Sequence, residues 1–142
     1  MNPLRFFAGL LILLLALFAQ IFFASAGIFL NSALAALIAF AFVFTFWELA
    51  VFDLLAVFVL TWQPAPSLAL IVFALVPLAA FVFCKLTQWH GWTGTLIAIV
   101  VGLAVFYVAA GGTPYFFAHF GWFALDVVIA AAVGELIVVG LA

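Results

Sequence analysis

The residues of this chain that could do chemistry are few, and two of them lie close together in an apolar run. Residues 44–55 read FTFWELAVFDLL, in which Glu48 and Asp53 are five positions apart. Only two other carboxylates, Asp126 and Glu135, are present in the sequence. An ionisable side chain inside an apolar membrane segment is costly, and it usually faces the protein interior or a functional site. These carboxylates are therefore the first candidates for function.

A candidate intramembrane polar cluster consists of Gln20, Asp53 and Asp126, with His119 as a further member. His119 and Asp126 are seven residues apart, so on a helix they share a face but lie too far apart for a direct hydrogen bond. Such a cluster could bind a small ligand or carry protons, or it could simply hold helices together. No basic residue lies within the apolar segments to pair with the aspartates. We therefore favour the structural role.

The remaining reactive residue types do not form a catalytic pattern. His90 is a loop histidine beside Trp89, and Cys84 is a lone cysteine with no neighbouring histidine. A catalytic base needs a positioned nucleophile or substrate, and no motif for metal, phosphate or nucleophile chemistry is present. We expect a protein that is not an enzyme, with no catalytic, metal or cofactor-binding residues and no cofactor.

The amino-acid composition indicates whether water or lipid surrounds the folded chain. The 142 residues are 74% hydrophobic and 4% charged, whereas a soluble domain has about 25% charged residues. Apolar stretches of about 18 residues or more indicate membrane spans. We expect an all-α integral membrane protein with residues 1–142 as a single polytopic domain and membrane lipid around it. The net charge of −2 gives no reason to expect nucleic acid as a partner.

The first apolar segment has features of both a signal peptide and a membrane span. Arg5 precedes it, and Ala24-Ser25-Ala26 resembles a signal cleavage site. The apolar run from Phe6 to Phe23 is longer than the h-region of a typical signal peptide. An uncleaved span is therefore the favoured interpretation.

The run from Ser32 to Thr61 can be one long helix or a hairpin of two short ones. A single helix would be about 45 Å long, against a hydrocarbon core of about 30 Å. Two helices with a turn at Trp47-Glu48 would place Glu48 near a membrane surface. The hairpin also puts Arg5 and Lys85, the two basic residues, on one side, as the positive-inside rule favours. We predict the hairpin.

The predicted architecture is a compact bundle of about six transmembrane segments, including this short hairpin, with both termini in the cytoplasm. Pro64 and Pro66 mark one break, and Gly111-Gly112 followed by Pro114 marks another. The predicted topology anchors are Arg5, Lys85, Trp89 and Trp92. The predicted segments are about 6–24, 32–46, 49–61, 68–84, 95–110 and Pro114 to the C-terminus.

Contact with another membrane protein is predicted on the short hairpin. Ala35 and Ala39 have the small-xxx-small spacing that lets membrane helices approach closely, and Trp47 with Glu48 lies at the predicted turn. These four residues are the candidate partner-contact site.

The order of these features resembles that of the bacterial rod-shape-determining inner-membrane protein MreD family. The resemblance covers most of the chain in layout. It rests on Asn31 with the aliphatic stretch after it, on Phe46-Trp47-Glu48, and on the closing helix ALDVVIAAAVGELI, residues 124–137. The chain departs from the family pattern because the turn after the second helix lacks basic residues and the third helix lacks glycines.

This resemblance implies a non-enzymatic component of a cell-wall elongation complex in the bacterial cytoplasmic membrane, binding a single-span partner, MreC, or a polytopic one. The alternative is a small-molecule-binding membrane subunit similar to the vitamin-binding component of energy-coupling-factor transporters. Its pocket would need several convergent polar groups, and few are available here.

Overall fold

The computed structural model describes residues 2–28, 30–61, 67–88 and 91–141, and helices are the only regular secondary structure within these ranges. The predicted anchor Trp89, the loop residue His90 and the predicted break at Pro64 and Pro66 lie outside these ranges. The helices within them are α1 (Pro3–Ser25), α2 (Ser32–Val43), α3 (Phe46–Leu60), α4 (Leu68–Thr87), α5 (Trp92–Ala118) and α6 (Phe120–Leu141).

Four of these helices, α1, α4, α5 and α6, are long and apolar enough to cross a membrane. The prediction of a helical membrane protein is confirmed at this level. The other two helices are shorter, with 12 residues in α2 and 15 in α3. At 1.5 Å per residue they measure about 18 Å and about 22 Å, less than the hydrocarbon core of about 30 Å.

The run from Ser32 to Thr61 is two helices, but the predicted turn at Trp47-Glu48 is wrong by about three residues. The break lies at Phe44 and Thr45, which both have extended backbone angles. Thr45 donates from its N–H and its hydroxyl to the Glu48 carboxylate, at 3.0 and 2.9 Å. Glu48 therefore lies inside the first turn of α3 and caps it, because helix N-termini favour acidic acceptors.

The last predicted helix is also corrected, since it does not run unbroken from Pro114. Gly112 interrupts α5 with a φ of 79°, a left-handed conformation that glycine adopts without steric cost. A second break lies at His119, whose φ of −110° ends α5. The His119 ring stacks on Tyr115 at 4.1 Å, and its Nδ1 lies 3.0 Å from the Tyr115 carbonyl oxygen. The predicted break at Gly111-Gly112 is confirmed.

Helix α2 is the centre of the molecule. It contacts all five other helices, and every residue from Ala33 to Ala41 is buried. Gly102 of α5 allows the close approach to α2, because a Cβ there would lie 2.7 Å from Ile38 Cδ1. Gly134 of α6 allows close packing on α5, because a Cβ there would lie 2.5 Å from Ile99 Cδ1. The bundle is thus built around a helix with no free face.

This position corrects the predicted partner-contact role of Ala35 and Ala39. Both have 0% exposure, and the small side chain of Ala39 lies 3.8 Å from the place that a Cβ on Gly134 would occupy. Their small size serves helix packing inside the chain. A partner cannot reach them in this arrangement.

The two ends of the bundle can be assigned from contacts. At one end, which we name the Arg5 end, Arg5 hydrogen-bonds to Val43, and the Phe46 ring lies 5.7 Å from that of Phe81. Lys85 is one turn beyond Phe81, and its Nζ lies 5.4 Å from the centre of that ring. The two basic residues therefore lie at the same end of the bundle.

The opposite end, which we name the Asp126 end, is where Asn31 meets Asp126. Because Ala39 lies beside Gly134 further along, α2 and α6 run parallel. Helix α6 therefore ends at the Arg5 end, where α1 begins.

We expect Ala39→Leu to destabilise the protein by about 1–3 kcal/mol, since overpacking a filled core costs about that much. The measurement is unfolding in detergent micelles, followed by tryptophan fluorescence. Ala132→Leu is the matched control, because Ala132 is exposed on α6. Equal stability of the two variants would contradict the central, filled position of α2.

Candidate functional site

The N-terminus of α2 lies well inside the bundle. Ser32 Oγ donates to the Ala16 carbonyl at 2.7 Å, and Ala33 N–H donates to Gln20 Oε1 at 3.1 Å. Since α1 continues to Ser25, α2 begins about 10 Å below the end of its neighbour. The first N–H groups of a helix have no partner within the helix. At this depth they need protein acceptors in place of water.

Asp126 of α6 is the acceptor for Asn31, the N-cap residue of α2. Its carboxylate accepts from the Asn31 N–H at 3.0 and 3.2 Å and from Asn31 Nδ2 at 2.8 Å. The Tyr107 hydroxyl donates to the same carboxylate at 3.3 Å. Asp126 is 1% exposed. Its side chain thus joins α5 and α6 to the start of α2.

Gln20 of α1 completes this arrangement. Asn31 is the N-cap residue of α2, but its side chain makes no capping hydrogen bond to the helix. The N–H of Ala33, at the second helical position, is taken by Gln20 of α1. The capping function that an N-cap side chain normally performs is therefore performed by a different helix.

Arg5 acts at the other end of α2. Its guanidinium donates to the carbonyl of Val43, the last residue of the helix, and lies 5.4 Å from the centre of the Phe44 ring. A helix carries partial positive charge at its N-terminus and partial negative charge at its C-terminus. An acid at the first end and a guanidinium at the second both stabilise that dipole.

The predicted polar cluster is only partly brought together. Gln20 and Asp126 meet at the start of α2, but among the described residues neither Asp53 nor His119 hydrogen-bonds to either of them. His119 packs on Tyr115 at the end of α5. Asp53 is 5% exposed on α3, and its Oδ1 has no hydrogen-bond partner within the described part of the chain.

Three members of the site, Asn31, Ser32 and Tyr107, are not among the candidate site residues. Asn31 with Ser32 forms a polar pair directly before an apolar helix, which is a helix-start signal that could have pointed to them. Tyr107 carries no such signal, because its hydroxyl becomes a donor to Asp126 only when α5 and α6 pack together.

The remaining predicted anchors and contact residues lie on the outside. Trp47 is 78% exposed, and Trp92 is the exposed first residue of α5. Both lie at the Arg5 end with Lys85, because Trp47 follows Phe46 and Trp92 follows α4 after a short connection. Glu48 is half-buried and engaged with Thr45.

The polar side chains of this site hydrogen-bond to helix ends, so few of them are free to take part in a reaction. The Asp126 carboxylate is occupied by three donor groups of the chain itself. In the described ranges, no three His, Cys, Asp or Glu side chains lie close enough to hold a metal ion. Together, Asp126, Gln20 and Arg5 supply hydrogen-bond partners for both ends of α2.

Comparison with protein-family models, curated proteins and solved structures gave no match to this chain. The functional argument therefore depends on the geometry.

The two buried aspartates should respond oppositely to substitution. Asp126→Leu leaves the Asn31 N–H, the Asn31 side-chain amide and the Tyr107 hydroxyl without their acceptor. We expect a loss of about 1–3 kcal/mol, the cost of leaving a buried donor unpaired. Asp53→Leu removes a buried polar group that lacks a partner at Oδ1, so stability should stay constant or rise. Denaturant unfolding in micelles measures both. An equal loss in the two variants would refute this distinction.

Proposed function

We propose that this chain is a non-enzymatic membrane component of a bacterial cell-wall elongation complex, similar to the MreD family, and that it acts by binding other membrane proteins. The observation that carries the proposal is the use of its polar side chains. Asp126, Gln20, Arg5 and Glu48 all serve helix ends. What the chain offers to other molecules is the apolar outer surface of its helices.

The proposed topology has six segments, with the Arg5 end in the cytoplasm of a bacterial cell. Arg5 and Lys85 lie at that end, and basic residues favour the cytoplasmic side. Trp47 and Trp92 would then lie at the cytoplasmic interface, where aromatic side chains are enriched. Because α1 begins and α6 ends there, both described ends of the chain face the cytoplasm.

Cysteine labelling tests this topology. In a Cys84→Ser background, Asn2→Cys and Trp47→Cys should react with a membrane-impermeant reagent only when the cytoplasmic side is accessible. Thr113→Cys should react from outside, since Thr113 is exposed and follows the break at Gly112, beyond the contact of Tyr107 with Asp126. Labelling of position 2 or 47 in intact cells would overturn the proposed orientation.

The proposed contact surface is the outer face of α3. Its exposed residues Trp47, Val51, Leu54 and Phe58 follow the spacing i, i+4, i+7, i+11, which forms one continuous stripe on a helix. Trp47 is retained from the predicted contact site, whereas Ala35 and Ala39 are replaced by this stripe. Phe58 and Trp47 are 82% and 78% exposed.

The proposed occupant is one transmembrane helix of an MreC-like single-span protein. The length of α3, about 22 Å, leaves it shorter than the hydrocarbon core, and mismatch of this kind favours helix association. A full-length partner helix would cover both the stripe and the ends of α3. The large aromatic side chains supply contact area, as they do at other interfaces.

Co-purification tests this contact. The chain would be co-expressed with the MreC-like single-span protein of the same genome and recovered in mild detergent. Trp47→Ala and Phe58→Ala should each lower recovery of the partner about tenfold or more, since a hot-spot truncation costs about 2 kcal/mol. Leu136→Ala, on the exposed face of α6, is the matched control and should leave recovery unchanged.

The opposite outcome identifies the other class of function. If the natural chain is recovered alone and binds a vitamin or another small solute stoichiometrically, the transporter-subunit interpretation replaces this proposal.

A further inference from the structure

Asp53 is a buried acid that takes no part in the hydrogen bonds at the ends of α2. It is 5% exposed, and its Oδ1 has no hydrogen-bond partner within the described residues. Buried polar groups without a partner are rare in folded proteins, because leaving such a group unpaired is costly. The surroundings of Asp53 on α3 therefore show what this acid can bond to.

The helices packed around α3 bring no charge to Asp53. They are α1, α2 and α4. Helix α2 has no titratable side chain, and those of α1 and α4 are Arg5, Cys84 and Lys85. All three lie at the Arg5 end, whereas Asp53 lies about 10 Å further into the bundle, seven residues after Phe46. A buried acid with no cation beside it keeps its proton, because an isolated carboxylate is far more costly to bury than the neutral acid.

Helix α4 contains a backbone carbonyl that lacks its helical donor. Pro77 lies inside α4, and its side chain is fully buried. Because proline has no N–H, the carbonyl of Phe73, four residues earlier, loses its usual hydrogen bond. In a membrane interior, a carbonyl freed in this way is satisfied by a neighbouring helix, a side chain or water. A donor from α3 could fill this role.

The packing of α3 on α4 places Asp53 and this carbonyl at about the same depth. The two helices are antiparallel, because the rings of Phe46 and Phe81 lie 5.7 Å apart at the Arg5 end and only residues 61–67 join the other ends. Asp53 lies seven residues along α3 from this contact, about 10 Å. The same distance back along α4 from Phe81 ends one residue past Phe73. This is the depth of the Phe73 carbonyl oxygen.

The two groups also face each other across the helices. On α3, Phe46 contacts α4, and Phe52 packs its ring on α2. Asp53 shares the face of Phe46 and follows Phe52, so its side chain lies between α4 and α2. On α4, Pro77 is one turn before Phe81 and lies on the same side of the helix. A helical carbonyl points toward the residue four positions later, so the carbonyl freed by Pro77 opens toward α3.

We propose that Asp53 holds a proton inside the bundle and donates it in a hydrogen bond to the carbonyl of Phe73. A carbonyl accepts hydrogen bonds and cannot donate them, so only the protonated acid can pair with it. This pairing explains why no donor reaches Oδ1, and it replaces the hydrogen bond that Pro77 removes from α4. Asp126 is the opposite case, because all of its hydrogen-bond partners are donors. The proton site is independent of the proposed partner.

Unfolding measurements do not isolate this bond. Asp53→Leu removes the donor to Phe73, but it also places an apolar side chain in the core. These two effects are of similar size and opposite sign. The proton itself must therefore be observed.

Infrared spectroscopy of the full chain in micelles at neutral pH tests the site. The natural chain should show the C=O stretching band of a neutral carboxylic acid. Asp53→Asn should lose this band and still fold, because the asparagine amide can donate to Phe73. Pro77→Ala returns a helical N–H to Phe73 and should move the Asp53 band to higher frequency, since the acid then loses its acceptor. Pro114→Ala is the matched control, because Pro114 is exposed beyond the break at Gly112, and it should leave the band unmoved.

A carbon isotope label gives a second measurement if Asp53→Asn fails to fold in a thermal melt. The chain has only two aspartates, so a label in the aspartate carboxyl group should shift the acid band, and the shifted band should persist in Asp126→Asn. An acid band of unchanged intensity in folded Asp53→Asn, or one that ignores the label, would overturn the proton assignment. The same band frequency in Pro77→Ala and in Pro114→Ala would overturn the assignment of the Phe73 carbonyl as the acceptor.

Discussion

The structure depends on one constraint, which is that both ends of α2 must be closed without water. A helix satisfies its internal hydrogen-bonding groups, but its first N–H groups and last carbonyls need other partners, and in hydrocarbon an unpaired group costs several kcal/mol. Because α2 is short and buried, Asp126 and Gln20 close its first end and Arg5 closes its last. These contacts fix α1 and α6 against the central helix.

The same contacts explain how charged residues are tolerated inside so apolar a chain. The carboxylate of Asp126 meets the positive end of the α2 dipole, and the Arg5 guanidinium meets the negative end. Helix α2 thus connects an acid and a base that lie about 18 Å apart. Glu48 follows the same rule on α3, where it is bonded to Thr45. Lys85 lies in the last turn of α4, so four of the chain's six acidic and basic residues are placed at helix ends.

Much of the helical layout could be predicted, because composition, glycine, proline and capping residues are local signals. The hairpin turn is misplaced because Glu48 is interpreted as a loop residue. In the sequence, an acidic residue in the first turn of a helix cannot be told from an acidic residue in a loop. Ala35 and Ala39 are assigned to a contact surface because of their small-xxx-small spacing. This spacing is the same for close approach to a partner and for packing inside the bundle, and α2 is apolar on all sides, so the sequence does not separate the two. Gln20 and Asp126 could be recognised from the sequence as candidate polar residues. That both accept hydrogen bonds at the start of α2 depends on tertiary packing.

The hydrogen bonds at both ends of α2 also bear on which kinds of function the fold can support. A transport cycle that slides one helix past α2 would break the hydrogen bonds of Asp126 or Arg5, and each unpaired buried group would cost on the order of 1–3 kcal/mol. Binding on the outer face of α3 requires no such movement, since the residues of the stripe take no part in the hydrogen bonds of Asp126, Gln20 or Arg5. A rigid centre with apolar outer surfaces therefore favours association within the bilayer over a moving carrier. Asp53 and Glu135 are different, because within the described residues each has a buried carboxyl oxygen without a hydrogen-bond partner and no role in closing α2.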